Sequence, residues 1–278
     1  MATTPLVLMA IHAHPDDEAM STGGVLHKYA SEGVLTVLIT CTGGELGDGP
    51  GGVKPGQPGH DPQVVKRVRR AELESACQEL EIWRLEMLGY RDSGMVEWGM
   101  ADAPGSFASS DLDEEVSRVA KLIERYRPQV VITYSEDGGY GHPDHVRTHQ
   151  VARGAFISTG IPSKLYYTAF PKSLARRLLA QMKEASIDPW ELGDIDFDPD
   201  NPPFGVDDDL ITTVIDVTPD VPAKLAAVRA HGSQMDNAFF SGLREQVAPM
   251  VMGAESFIRA VDRSGAVIPE VDLFAGLR

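Results

Sequence analysis

The sequence predicts an α/β fold, a mostly parallel sheet flanked by helices, with a C-terminal α+β extension that walls the active site. Three observations carry this. Residues 6–11 are an uninterrupted apolar run of strand length, residues 34–41 read as a second buried strand, and a helical stretch joins them, which makes a βαβ unit with a right-handed crossover. Strand and helix patterns then alternate to about residue 170, as in a doubly wound sheet. Past residue 187 the alternation gives way to an Asp- and Pro-rich stretch. Residues 1–186 are therefore read as a catalytic core and residues 187–278 as an extension packed on it. The whole is expected to form a single structural domain, since 278 residues can bury one large core.

The elements follow in order. Residues 6–11 form a strand. Ser21 or Thr22 caps a helix running to Glu32, and Gly33 ends it at the position where glycine is favoured. Residues 34–41 are the second strand. A Gly- and Pro-rich loop runs from 42 to about 62, and it lacks the Gly-Lys-Ser/Thr ending of a phosphate loop. Residues 63–80 read as a helix with the apolar stripe Val64, Val68, Leu73, Ala76, Cys77 and Leu80. Lys66, Arg67, Arg69 and Arg70 crowd its first half, against the helix dipole. Most of them suit a solvated face, and one arginine is a candidate to point into the site.

Residues 84–88 form a short strand with the polar segment 89–95 at its end. An irregular loop covers 95–110, and Ser110 or Asp111 caps a helix over 112–127. A strand at 129–134 leads into a Gly-rich loop carrying Tyr140, and a helix follows to about residue 158. Beyond it the pattern predicts a strand at 164–168, a helix at 171–185, a loop at 187–209, a strand at 211–217 and a helix at 219–231. Residues 252–263 read as helical and the last ten as extended.

Composition limits the function classes. A net charge of −16 opposes binding to a phosphate backbone, so no nucleic-acid partner is expected. No apolar run approaches the roughly 20 residues that span a bilayer, and residues 1–5 lack the features of a signal peptide. The expectation is a cytoplasmic protein with no membrane partner. Cys41 and Cys77, two in so long a chain, read as reduced buried thiols. Asp194, Asp196 and Asp198 have the spacing that opens a calcium loop, but Pro199 and Gly205 stand where that loop needs Gly and Glu, so the stretch reads as a solvated acidic loop. Oligomeric state is left open, a homo-oligomer included.

Two clusters carry the chemistry. His12-Ala13-His14-Pro15-Asp16-Asp17-Glu18 follows the first strand, and Gly141-His142-Pro143-Asp144-His145 follows the strand at 129–134. Ligands in open α/β sheets bind at the carboxyl ends of strands. A lone His-x-x-Asp is commonly structural. Two clusters at strand ends, holding four of the eight histidines, point instead to one metal site. His14 and Asp17, three apart at a turn stiffened by Pro15, and His145 from the other cluster are the expected ligands. Two imidazoles and one carboxylate leave the ion a Lewis acid with an open position for water. Zinc suits this set, and ferrous iron tolerates it. Asp16 is placed as general base. His142, as imidazolium, and Tyr140 are placed to meet an oxyanion or leaving amine, and Asp144 to orient a histidine. His12 is in phase with the apolar run and is read as packing beneath the site. His149 is read as a plain helix histidine.

These residues resemble the two signature motifs of the PIG-L/LmbE family of metal-dependent N-deacetylases. Thr42-Gly43-Gly44-Glu45, Arg69-Arg70-Ala71-Glu72 and Asp92-Ser93-Gly94-Met95 match its intervening landmarks. Gly138–His142 and residues 272–277 are similar to the branch that handles mycothiol and its precursor. The resemblance implies a Rossmann-like fold and a zinc ion on His14, Asp17 and His145. It also implies Asp16 as base, His142 and Tyr140 at the oxyanion and amine, and Arg69, Asp92 and Glu45 at the sugar. The implied reaction is hydrolysis of an acetamido group on a glucosamine-type sugar conjugate, a small-molecule substrate. Residues 46–62 and 95–110, at the mouth, depart most from the pattern of the inositol-glucosaminide deacetylase. An amidase that cleaves mycothiol S-conjugates, or another natural-product amide, is the alternative. A non-catalytic sugar- or metal-binding protein ranks lower, because base and ligands are all present. A nucleotide-binding protein ranks lowest, because no Gly-x-Gly-x-x-Gly follows the first strand.

Overall fold

Among the described residues seven strands form one sheet, in the spatial order β3 (Arg84–Tyr90), β2 (Leu35–Thr42), β1 (Val7–His12), β4 (Val130–Thr133), β5 (Lys164–Ala169), β7 (Ala254–Asp262) and β6 (Thr213–Asp216). The computed structural model describes residues 5–99, 101, 103–177, 205–234 and 248–278. β1 (Val7–His12) lies at the centre, parallel to both β2 (Leu35–Thr42) and β4 (Val130–Thr133). β3 (Arg84–Tyr90) continues the parallel sheet outside β2, and β5 (Lys164–Ala169) outside β4. The chain's first connection runs from β1 to β2, and a later one returns to β4 on the other flank. Between β1 and β4 the order reverses, which opens a crevice at their carboxyl ends.

The central strands are mostly apolar, and buried along almost their whole length, because both faces are covered. Successive side chains alternate across the sheet. Val7, Met9 and Ile11 of β1 therefore face one cluster, shared with Val119 and Ile123 of α4 (Leu112–Tyr126) and Val151, Ala155 and Phe156 of α5 (Pro143–Thr159). Leu8 and Ala10 face the other, with Val25, Leu26 and Tyr29 of α2 (Gly23–Ser31) and Leu73 and Cys77 of α3 (Pro62–Glu79). A third cluster joins α3 to α6 (Val221–Ala230) and α7 (Ala248–Met252) through Ala76, Leu80, Leu225 and Val228. Cys41 and Cys77 are both free and buried.

Four expectations need correcting. The first helix begins at Asp17, not after Ser21. α1 (Asp17–Ser21) and α2 are separate, and the Thr22 hydroxyl between them donates to the Glu18 carbonyl rather than capping α2. On α3 the buried stripe is Val65, Arg69, Leu73, Ala76 and Cys77, turned from the one expected, so that Arg69 faces inward. The helix expected over 252–263 is absent beyond Met252, where α7 ends. Ala254–Asp262 is β7, antiparallel to both β5 and β6 (Thr213–Asp216), because pairing on both sides outweighs a weak helical pattern. The last ten residues fold into turns that bury Leu273 and Phe274 against Tyr29. The helix expected at 171–185 and the acidic loop at 187–209 lie largely outside the described residues. Among the described residues no helix is long and apolar enough to cross a membrane.

Candidate active site

The crevice between β1 and β4 receives both clusters. β1 ends at His12 and the chain turns through Ala13–Asp16 into α1. β4 ends at Thr133, and the Gly-rich loop leads to His142, whose Nδ1 caps α5 by accepting from the Asp144 amide at 3.1 Å. Pro143 occupies the first turn of α5, where it needs no amide partner. Residues 130 apart in sequence thereby meet. His14 Nδ1 lies 3.5 Å from one Asp17 oxygen, and His145 Nε2 lies 3.3 Å from the other. One ring nitrogen from each of His14, His142 and His145 falls within 4.8 Å of the others, and all three residues are buried.

Hydrogen bonds to the far sides of the rings fix which nitrogens are free. His145 Nδ1 lies 3.1 Å from the Gly138 carbonyl, which can only accept, so Nδ1 carries the proton and Nε2 presents its lone pair. His14 Nε2 meets an Asp144 oxygen at 3.1 Å, which leaves Nδ1 facing Asp17. The free nitrogens of both rings therefore look at the same carboxylate. His142, with Nδ1 accepting, carries its proton on Nε2.

The charges suit a cation. Burial works against charge on His14, but the Asp144 and Asp17 carboxylates outweigh it and hold the imidazole well above its usual value. Burial would also neutralise Asp17, but His145 and His14 hold its carboxyl well below the usual range. Proton affinity at His14 among carboxylates marks a place that draws positive charge. One Asp144 oxygen, Oδ1, is buried without a partner among the described residues. His14, His142 and His145 lie close enough together to hold a borderline divalent ion, and Asp17 oxygens lie 3.5 Å from His14 Nδ1 and 3.3 Å from His145 Nε2. Asp92 also lies near them, 3.8 Å from His14 Nε2.

Asp16 sits beside the cluster. Burial pushes its carboxyl up to about 6, with Arg69 opposing the rise and Asp17 adding to it. Arg69 Nη2 donates to Asp16 Oδ2 at 2.9 Å, and Nη1 donates to the Gly44 carbonyl at 2.7 Å. Asp92 accepts from the amides of Leu46 and Gly94 and lines the cleft. Tyr140 stands at the rim with its hydroxyl 3.5 Å from His145 Nε2. Asp144 lies under the cluster, bonded to His14 and to the Ser93 amide. Glu45, expected at the sugar, is not among the residues lining the cleft. The chain turns at Gly44, which has φ 61°, and the Glu45 side chain is buried with one oxygen unpartnered among the described residues. His142 is expected as imidazolium, but burial and the neighbouring His14 and His145 lower it to about 4, so the ring is neutral at neutral pH.

The cleft is about 200 Å³ and takes in residues that sequence reasoning passed over. Leu46, Met95 and Trp98 give the lining an apolar part, and Gln234 also lines it. A tryptophan in an irregular loop just past a strand end was a usable signal for Trp98. Gln234 had none, since its place depends on a chain segment far away in sequence. Tyr134 was also missed. Its ring stacks on His145 with centroids 4.2 Å apart, and its hydroxyl accepts from the Ala13 amide at 2.9 Å and meets His12 Nδ1 at 3.1 Å. His12 is buried and neutral beneath the site, lowered to about 4 by burial. His149 is likewise buried, with Nδ1 at the Tyr134 carbonyl.

Comparison with known proteins points the same way. The family model described as PIG-L, GlcNAc-PI de-N-acetylase, matches residues 9–156. The 1D-myo-inositol 2-acetamido-2-deoxy-alpha-D-glucopyranoside deacetylase 1 of Saccharopolyspora erythraea is 37% identical, covering 99% of this chain and 95% of the relative. The corresponding deacetylase of Acidothermus cellulolyticus is 37% identical over 97% of this chain and 94% of its own. Among solved structures, the N,N'-diacetylchitobiose deacetylase of Pyrococcus horikoshii shares the fold at a TM-score of 0.57 with 19% identity, covering 92% of this chain and 84% of that one. GalB, a 4-carboxy-2-hydroxymuconate hydratase from Pseudomonas putida, shares it at 0.55 with 18% identity, covering 93% and 97%. The fold therefore accommodates more than one chemistry.

Proposed function

The chain belongs to the PIG-L family of de-N-acetylases, and from that premise we propose that it hydrolyses the acetamide of an N-acetylglucosamine unit joined to a small polyol such as inositol. The products are acetate and the free amino sugar. The observation that carries this is the meeting of His14, Asp17 and His145, with Asp16 alongside, in one cleft at the sheet's crossover. The same cleft, about 200 Å³, has Leu46, Met95 and Trp98 among its lining residues.

His14, Asp17 and His145 would hold a divalent ion, zinc by preference and ferrous iron as competitor. Such an ion supplies Lewis acidity to the water and the amide carbonyl. The chain's own groups do the rest. Asp16, poised near 6, accepts a proton from the attacking water and passes it to the amine nitrogen as the C–N bond breaks. Neutral His142 donates its Nε2 proton, and Tyr140 its hydroxyl, as hydrogen bonds to the carbonyl oxygen as that oxygen gains charge. Asp144 keeps His14 in the tautomer that presents Nδ1. Arg69 steadies Asp16, and with Asp92 it is within reach of sugar hydroxyls at the cleft.

The test is metal analysis of purified protein together with acetate release from N-acetylglucosaminyl-inositol and simpler N-acetylglucosaminides. Asp16→Asn should keep the metal and lose roughly 10²- to 10⁴-fold in kcat. Full activity in that variant would remove Asp16 from the mechanism. Faster amine release from a mycothiol S-conjugate than acetate release from the sugars would make the protein an amidase of thiol conjugates.

A further inference from the structure

Asp16 has φ 114° and ψ −30°, a backbone state that side-chain-bearing residues rarely adopt. Such a conformation persists only where its surroundings over-determine it. Its carboxylate end is held by Arg69, as described. Its amide end is held by Glu18, whose Oε2 accepts from the Asp16 N–H at 3.0 Å. The other oxygen of Glu18 meets His231 Nε2 at 2.7 Å. Glu18 and His231 are both fully buried, and 213 residues separate them.

His231 ends α6 and opens the short turn Gly232–Gln234. That turn is anchored at two further points. Ser233 donates from both its amide and hydroxyl to Glu72 at 2.7 Å, and Gln234 Nε2 donates to the Asp48 carbonyl at 3.0 Å. Glu72 is three residues beyond Arg69 on α3. One face of α3 thus fixes both the turn that carries His231 and the arginine that grips Asp16.

We propose that His231 is a positioning residue for the catalytic base, holding the Asp16 backbone, through the Glu18 carboxylate, in the left-handed state that aims its side chain into the cleft. Asp16's role as base rests on the function proposed above. The hold on its backbone does not. Without the His231 donor, Glu18 is a buried carboxylate with one oxygen unpartnered. It is free to turn away from the Asp16 amide, and Asp16 relaxes toward the ordinary helical or extended regions.

His231→Leu removes the donor at similar bulk. His231→Gln restores an N–H near the position of Nε2. Hydrogen exchange at the peptide covering Asp16 is expected to accelerate at least tenfold in His231→Leu and to return close to wild type in His231→Gln. On a substrate that wild type turns over, His231→Leu should lose about ten- to a hundredfold in kcat with KM within twofold and metal content unchanged. His231→Gln should recover most of that loss. Unchanged exchange at Asp16 in a folded His231→Leu protein overturns the proposal, and so does an unchanged kcat in an active enzyme. Loss of activity tracking loss of metal or of melting temperature overturns it too. If wild type cleaves no N-acetyl sugar, the functional reading fails and the exchange measurement decides the positioning role by itself.

Discussion

Tyr134 shows how much of the site is set by a buried residue that does not line the cleft. Its hydroxyl is one link in a directed chain of hydrogen bonds. The Thr22 hydroxyl donates to the Glu18 carbonyl, so Thr22 Oγ1 is left to accept from His12 Nε2 at 2.9 Å. His12 Nδ1 must then accept, and the Tyr134 hydroxyl is its donor. The Ala13 amide donates to the tyrosine oxygen. Tyr134→Phe keeps the ring stacked on His145 but leaves the Ala13 amide and His12 Nδ1 buried and unpaired. The expected cost is about 1–3 kcal/mol by urea unfolding, with metal content preserved. Loss of metal in that variant would mean that the hydroxyl supports the site through Asp17, with which it also interacts.

At the scale of elements, the loop into α5 and the α4–α5 pair are the parts to test. Gly138 has φ 69°, and a Cβ there would lie 2.6 Å from the His145 Cβ. Gly138→Ala must strain the loop and displace the carbonyl that orients His145, so metal affinity should fall roughly 10- to 100-fold in a competition titration. Glu115 of α4 pairs with Arg147 of α5 at 2.6 Å. Burial nevertheless raises its pKa to about 7, with Arg147 opposing. A carboxyl whose folded pKa exceeds its unfolded value near 4.5 stabilises the fold at acid pH and loses that contribution as pH rises through 7. Glu115→Gln should match wild type at pH 5 and gain on it toward pH 8, by at most about 3 kcal/mol. A difference in melting temperature that does not change with pH would refute this.

At the scale of the molecule, β6, β7 and the C-terminal turns extend the same sheet that carries the site. Their junction is held by a buried polar group. Lys164 of β5, fully buried, pairs with Glu270 at 2.5 Å, and Glu270 also takes bonds from Tyr166 and Thr213. Lys164→Met removes one cation from Glu270 and leaves Arg259, 3.1 Å from the same carboxylate, and should cost about 1–3 kcal/mol in urea unfolding. Lys164→Met combined with Glu270→Gln should cost less than the sum of the two single changes. An additive double variant would show that the two groups are not coupled.

The alternation of apolar runs and helix patterns was enough to specify the parallel core, because strands covered on both faces are mostly apolar. The same argument fails for Ala254–Asp262, where pairing with β5 and β6 made a strand of a segment whose local pattern favoured a helix. The imidazoles and carboxylates of His14–Asp17 and His142–His145 could be read locally, since spacing at a strand end restricts where such groups point. Which nitrogen each ring presents could not, because Gly138 and Asp144 set it by contacts made only after folding. Nor could the neutral state of His142, which follows from burial among other histidines. His231 and Gln234 lie over 200 residues from the first cluster and carry no local motif. Chemistry concentrated in short stretches is visible in the order of residues. Proton placement, backbone strain at Asp16 and the walls of the cleft depend on distances between segments, and those exist only in the packed chain.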